Sequence, residues 1–201
     1  RFANVAFSDG SLLHGFNQRF LKRQPLSAPS DIKRFFLSPE ESGQLCLMSC
    51  ILGKNRDIFF PQMESADSAI SFPEIAQAFL EEKGYGLHIC STEEEARNSA
   101  EKSIRNMKWP CYFSESDTTG EKEIEEFYAL GDTVDLDQFE RIGVLQNDTS
   151  ANTELLDDFY GKIRQMVDEG VASKSDIVDL FKAILPEFNH RETGKYLDQQ
   201  M

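Results

Sequence analysis

Three times along this chain a helix-start signal precedes an apolar-periodic run: Ser38-Pro39-Glu40-Glu41, Ser71-Phe72-Pro73-Glu74 and Ser91-Thr92-Glu93-Glu94. Each joins a capping hydroxyl to a carboxylate in the first turn, and two carry proline at the opening positions. Between and after them lie short apolar runs: Asp57-Ile58-Phe59-Phe60-Pro61, residues 86–90, Cys111-Tyr112-Phe113 and Ile142-Gly143-Val144-Leu145. Capped helices alternating with runs of strand length restrict the chain to an α/β fold. Residues 1–7 read as a buried strand closed by the turn Ser8-Asp9-Gly10. Ser11 then caps a helix whose Leu12, Leu13, Phe16, Phe20 and Leu21 keep the 3.6 period. Pro25 ends that helix and opens an irregular stretch over 24–30. Further helices are expected over 38–52, 71–84 and from Thr92 to near Trp109-Pro110, and a polar loop over 116–121. Three more close the chain, over 152–168, 175–185 and 190–201.

The 201 residues suffice for one domain or for a domain with an appendage, and 16 phenylalanines supply core material. Aromatics at that density exclude a disordered chain. The formal net charge of −14 is unevenly divided: residues 1–63 carry +3 and the remaining 138 carry −17. An acidic exterior repels phosphate backbones, so no nucleic-acid partner is expected, and an anionic small ligand belongs in the front part. The charge step near 64–70 sets the expected boundary, giving a first region 1–66 and an acidic α/β extension 67–201 ending in helices.

No apolar run reaches the ~20 residues of a membrane helix, so no membrane partner is expected. Arg1-Phe2-Ala3-Asn4-Val5 reads as a strand and not as a charged leader, and a cytoplasmic location is expected. A strand with nothing before it also suggests that the chain is a piece of a longer polypeptide. Cys46, Cys50, Cys90 and Cys111 are too few for a disulfide scaffold and lack the C-x-x-C spacing of a metal site. They are read as buried free thiols, and no metal is expected.

Four segments in order carry a resemblance: Arg1-Phe2-Ala3-Asn4-Val5, Ser8-x-Gly10-Ser11, Lys33-Arg34-Phe35-Phe36-Leu37-Ser38-x-Glu40-Glu41 and Ile58-Phe59-Phe60-Pro61. Together they resemble the nucleotide-sugar 4,6-dehydratases of bacterial polysaccharide biosynthesis, extended short-chain dehydrogenase/reductases acting on UDP-N-acetylglucosamine-type substrates. Residues 116–122 and 185–190 are similar to the tail of a long-form branch of those enzymes. The resemblance implies the last Rossmann strands plus the substrate-binding region, NAD or NADP as cofactor, a UDP-sugar substrate and a homo-oligomer. The Gly-rich dinucleotide turn and the Tyr-x-x-x-Lys pair of such enzymes are missing, so the chain alone is expected to be inactive and to hold no catalytic residue.

Residue by residue, the resemblance implies that Asn4 contacts the diphosphate-sugar region and Arg34 the nucleotide diphosphate, while Phe2 and Ala3 border the cofactor. Physical chemistry is compatible with these roles. An Asn at a strand's carboxyl end faces the crevice where α/β sheets bind ligands, and a guanidinium donates bidentately to phosphate. Gly10 and Ser11 offer backbone N–H groups at a helix start, and Lys33 adds charge. The plain alternatives stay open: a loop contact for Asn4, an ion pair for Arg34, a helix cap for Ser11 and a solvated Lys33. Ala3, Asp9 and His14 stand where the family often has Gly, Arg and Pro. The family's Arg-Pro-Gly-Glu-Lys element is absent after Leu87-His88-Ile89-Cys90.

An epimerase or ketoreductase of the same superfamily, or a non-catalytic binding or assembly module, are the competing readings. Glu93-Glu94-Glu95 and the glutamates of 121–126 are read as solvated or dipole-complementing faces. His190 is read as a helix cap, and Thr118-Thr119-Gly120-Glu121-Lys122 as a loop lacking the phosphate-loop pattern. The stripes Leu155, Leu156, Phe159, Ile163 and Ile177, Leu180, Phe181, Ile184 are read as core or subunit-contact surfaces.

Overall fold

The computed structural model describes residues 1–63, 68–117, 124–147 and 152–185, with 188, 190, 192 and 194. The expected loop over 118–122, the last helix beyond 190 and most of the junction at 64–67 lie outside the described residues. Contacts divide the chain into two compact units. One comprises Arg1–Ser116 with Glu121–Asn147, the other Asp117–Gly120 with Asp148–Met201. That division falls at 147/148, whereas the charge step falls near 66/67, and both three-stranded sheets of the first unit draw strands from either side of the charge step.

In chain order the first unit runs β1 (Asn4–Val5), α1 (Leu12–Leu21), β2 (Leu26–Pro29), β3 (Lys33–Arg34), β4 (Phe36–Leu37), α2 (Pro39–Leu52) and β5 (Asp57–Pro61). Then come β6 (Ile70–Ser71), α3 (Phe72–Glu82), β7 (Gly86–Cys90), α4 (Glu93–Arg105), β8 (Lys108–Ser114), β9 (Val134–Asp135) and β10 (Ile142–Gln146). The architecture is α/β, as expected. A parallel sheet has the order β2-β8-β7, and an antiparallel one the order β5-β10-β9. Two short pairs, β1 with β4 and β3 with β6, link them.

Sequence signals place the helices well because the caps form as anticipated. Ser38 accepts from the Glu41 amide at 3.1 Å while Glu41 Oε2 accepts from the Ser38 amide at 2.7 Å, and Ser71 with Glu74 repeats the arrangement. On α3 the buried residues Phe72, Ile75, Ala76, Phe79 and Leu80 follow the i, i+3, i+4, i+7, i+8 pattern and cover the parallel sheet. Trp109 on β8 lies at the centre of that core. Its ring stacks on Phe20 at 4.4 Å, and its indole N–H donates to the Gln24 carbonyl at 2.9 Å. In the other sheet Gly143 faces Phe60, whose ring would lie 2.2 Å from any Cβ there, so a side chain is excluded by close approach.

Three expectations are corrected. The strand over 1–7 shrinks to Asn4–Val5, because its partner β4 offers only two residues before the Ser38 cap. The irregular stretch over 24–30 contains β2, pairing parallel with β8 from Leu26↔Cys111 to Pro29↔Ser114. Pro25 precedes that strand and Pro29 ends it, positions where a missing N–H is tolerated. Cys46 and Cys50 are exposed on α2, and only Cys90 and Cys111 are buried.

The second unit contains α5 (Thr153–Glu169) and α6 (Lys174–Ile184), helices capped by Asn152 and Ser173 and joined by a turn through Gly170 in the left-handed conformation (φ +65°). Phe159 is its one fully buried residue among those described, touching Phe181 edge-on at 5.2 Å. No helix among the described residues is long and apolar enough to cross a membrane.

Candidate functional site

The segment following β1 and the β3–β4 segment bring most of the sequence-predicted residues together. Asn4 donates its backbone N–H to Phe35 O at 3.0 Å, and Ala6 donates to Leu37 O at 2.8 Å. This fastens the carboxyl end of β1 one residue from Arg34. Phe7 then adopts φ +60°, a left-handed conformation unusual for a bulky residue, and turns the chain into Ser8–Ser11. The Ser8 hydroxyl donates to Val5 O at 2.9 Å, and Gly10 supplies the next left-handed step at φ +76°. Ser11 caps α1, accepting from the His14 amide at 3.2 Å, and Asp9 lies 3.5 Å from His14 Nε2. The cap reading of Ser11 is therefore realised. The half-buried Asn4 carboxamide makes no hydrogen bond among the described residues.

Arg34 and Lys33 sit differently. Lys33 is exposed, opposite Ser71. The Arg34 side chain is only 10% exposed. Its Nε lies 3.6 Å from Glu125 Oε1, its Nη1 donates to Lys33 O at 2.8 Å, and its guanidinium carbon is 5.9 Å from the Phe72 ring centre. Glu125 belongs to the acidic run read as solvated, and this member of it is an ion-pair partner. A paired, buried arginine fixes the β3 backbone beside Asn4 at least as firmly as it offers a charge.

Phe2 and Ala3, the two positions implied for cofactor contact, diverge. Phe2 is 49% exposed, whereas Ala3 is buried with Phe35 and Ala69. They supply one aromatic edge and no phosphate-cradling turn, so these residues do not by themselves fit a dinucleotide.

Beyond Phe36, the cross-strand partner of Asn4, opens a cavity of about 580 Å³ that sequence reasoning missed. Phe36 and Leu37 of β4, Leu45 and Met48 of α2, and Met63 after β5 give it an apolar wall. Glu41, Gln62 and Arg141 add polar groups. The Gln62 backbone N–H donates to Arg141 O at 2.9 Å, but its side-chain Oε1 is buried without a hydrogen-bond partner among the described residues. Such an orphaned oxygen costs on the order of 1–3 kcal/mol, which a donor on a ligand would relieve. The Glu41 carboxyl is held below its ordinary range by hydrogen bonds from the Ser38 backbone and side chain, so it stays ionised beside the cavity. Gln62 had a legible signal, since it directly follows the carboxyl end of β5, the same rule that singled out Asn4.

Comparison with known proteins bears on this arrangement. Among curated proteins none matches the chain. The X-ray structure of Pen from Bacillus thuringiensis shares the fold, with a TM-score of 0.50 at 15% identity over 86% of this chain and 50% of that one. This chain thus spans about half the length of that structure. The family described as polysaccharide biosynthesis protein matches residues 1–146, nearly all of the first unit and none of the helical hairpin. On that match, the chain belongs to the polysaccharide biosynthesis protein family.

Proposed function

We propose that the first unit is the substrate-binding portion of a nucleotide-sugar 4,6-dehydratase acting on UDP-N-acetylglucosamine-type sugars for surface polysaccharide synthesis. The observation that carries this reading is the Asn4 carboxamide of β1, which makes no hydrogen bond among the described residues and lies one short strand from Lys33 and Arg34. A neutral amide that donates without adding charge suits a diphosphate-sugar, and the nearby Gly10 N–H suits its anionic oxygens, the Ser11 N–H being taken by Ser8 O at 3.0 Å. The cavity beyond Phe36 offers room for a sugar, with Gln62 Oε1 ready to accept from a hydroxyl or amide N–H. Membership in the polysaccharide biosynthesis family supports sugar chemistry as the setting.

NAD(P) would supply the hydride chemistry of the parent enzyme, and this chain's own residues bind and orient substrate. No Tyr in the chain is followed four residues later by Lys, so the polypeptide alone should not turn substrate over. Calorimetric titration of the chain with UDP-N-acetylglucosamine tests the reading. Binding should be measurable and should weaken about tenfold in Asn4→Ala, the loss of one hydrogen bond to a polar ligand. Equal binding by wild type and Asn4→Ala, or no binding at all, overturns it. Arg34→Ala should cost on the order of 1–3 kcal/mol of affinity if the guanidinium meets the ligand. Turnover by this chain with added NAD(P) would also refute the assignment.

A further inference from the structure

The α5–α6 hairpin lies beyond the family match and has no assigned role. Its two helices carry more apolar surface than they can cover for one another. At about 100° per residue, Leu155, Leu156, Phe159, Ile163, Met166, Val167 and Tyr160 sweep an arc of about 140° on α5. Only the middle of that arc is covered. Leu156, Phe159, Ile163 and Met166 are half-buried or buried, while Tyr160 and Val167 on one flank are 65% and 68% exposed. On α6, Ile177, Val178, Leu180, Phe181 and Ile184 span a similarly wide arc, and none is fully buried. One antiparallel neighbour covers a narrower stripe than this. Arcs of this width belong to helices with two neighbours, as in a four-helix bundle. Residues 148–201 contain no cysteine, so no disulfide braces this unit.

The charges say which partner fits. Along α5 the order is acidic, basic, acidic: Asp157 and Asp158, then Lys162 and Arg164, then Asp168 and Glu169. Along α6 it is basic, acidic, basic: Lys174, then Asp176 and Asp179, then Lys182. The two orders are complementary, and because each is symmetric end to end the match holds in either direction. The helices already pair some of these charges internally, Asp158 with Lys162 at 2.6 Å and Asp179 with Lys182 at 3.8 Å, while Lys174 meets Glu192. Exposed pairs of this kind are worth little and exchange partners readily. The surface that best complements α5 is thus an α6, and the surface that best complements α6 is an α5.

We propose that the hairpin is a self-association module: two copies of this chain pair α5 of one against α6 of the other and close a four-helix bundle over the flanks now exposed at Tyr160 and Val167. Sedimentation equilibrium of the full chain tests this. A concentration-dependent dimer is expected, and Tyr160→Glu with Val167→Glu should raise its dissociation constant on the order of a hundredfold, since four apolar side chains leave the interface. Circular dichroism should show unchanged helix content, because both positions point to solvent in one copy. A second readout needs no substitution: hydrogen exchange of the wild-type chain at rising concentration should slow within 153–184. A monomer at all concentrations, a dimer indifferent to the double substitution, or concentration-dependent protection confined to residues 1–147 would each overturn the proposal.

Discussion

The two units make opposite use of aromatic residues. In the first, Phe16, Phe20, Phe79, Tyr85 and Trp109 converge between α1, α3 and the parallel sheet, and Trp109, Phe16, Leu26 and Leu80 are essentially sealed from water. In the second, Phe159, Tyr160, Phe181 and Phe188 form a chain of ring contacts, yet among the described residues only Phe159 is buried. Ring contacts alone do not make a core. Burial needs layers on both sides of the ring, and a sheet with helices packed on it provides them where a pair of helices does not.

That contrast can be broken by substitution. Trp109→Ala should destabilise the first unit by about 3–5 kcal/mol, the range for emptying a sealed aromatic site. Phe181→Ala should cost about 1–2 kcal/mol, because its ring is only partly buried. Because Trp109 is the single tryptophan, denaturant midpoints read by hydrogen exchange within 1–147 and within 153–184 would separate the two, and equal losses would refute the difference in burial.

A smaller effect comes from the thiols. Burial pushes the Cys111 thiol from its ordinary 9.0 up to about 12, with Cys90 adding to the rise. A raised pKa favours the neutral form in the fold. The stability it contributes is complete below pH 9 and is lost as pH rises toward 12. Alkaline unfolding of the first unit should therefore begin in that window and shift upward in Cys111→Ala where the packing loss allows. A thiol reagent at pH 8 should label Cys46 and Cys50 at once and Cys111 only on unfolding. Rapid labelling of all four would show that the core is open.

The smallest expected effect lies at a helix start. Ser38→Ala should cost about 1 kcal/mol by removing one half of the capping box on α2. The Glu41 half has the opposite pH sense from the thiol. Its carboxyl is depressed by Ser38, so its contribution is present above the usual carboxylate pKa of 4.5 and fades as pH falls through the lowered value. The difference in thermal midpoint between Ser38→Ala and wild type should thus narrow below pH 4. A constant difference down to pH 2 would remove Glu41 from the cap.

How much was legible in the sequence follows the range of the interactions. Caps and helical periods are local, and α1, α2, α3 and α5 begin where Ser11, Ser38, Ser71 and Asn152 indicate, while α6 starts at Lys174 on a Ser173 cap, one residue before the expected 175. Strand β2 was invisible because Leu26-Ser27-Ala28-Pro29 has little strand character of its own and exists through β8, 85 residues on. The site divides in the same way. Asn4, Gly10 and Ser11 are marked in the sequence by their positions in a strand and at a helix start, which are local signals. The pairing of Arg34 with Glu125 and the cavity bordered by Gln62 and Arg141 join segments about 80 to 90 residues apart, which no local pattern encodes.

The pairing of Leu26 with Cys111 and of Pro61 with Ile142 has a kinetic side. Both sheets can close only after long stretches of chain have come together, and the entropy of those loops is lost before the ladders return it. The hairpin of α5 and α6, linked by a four-residue turn, closes locally. Helical structure at the carboxyl end should form well before the sheets of the first unit are complete, so in refolding the hairpin leads and the first unit follows.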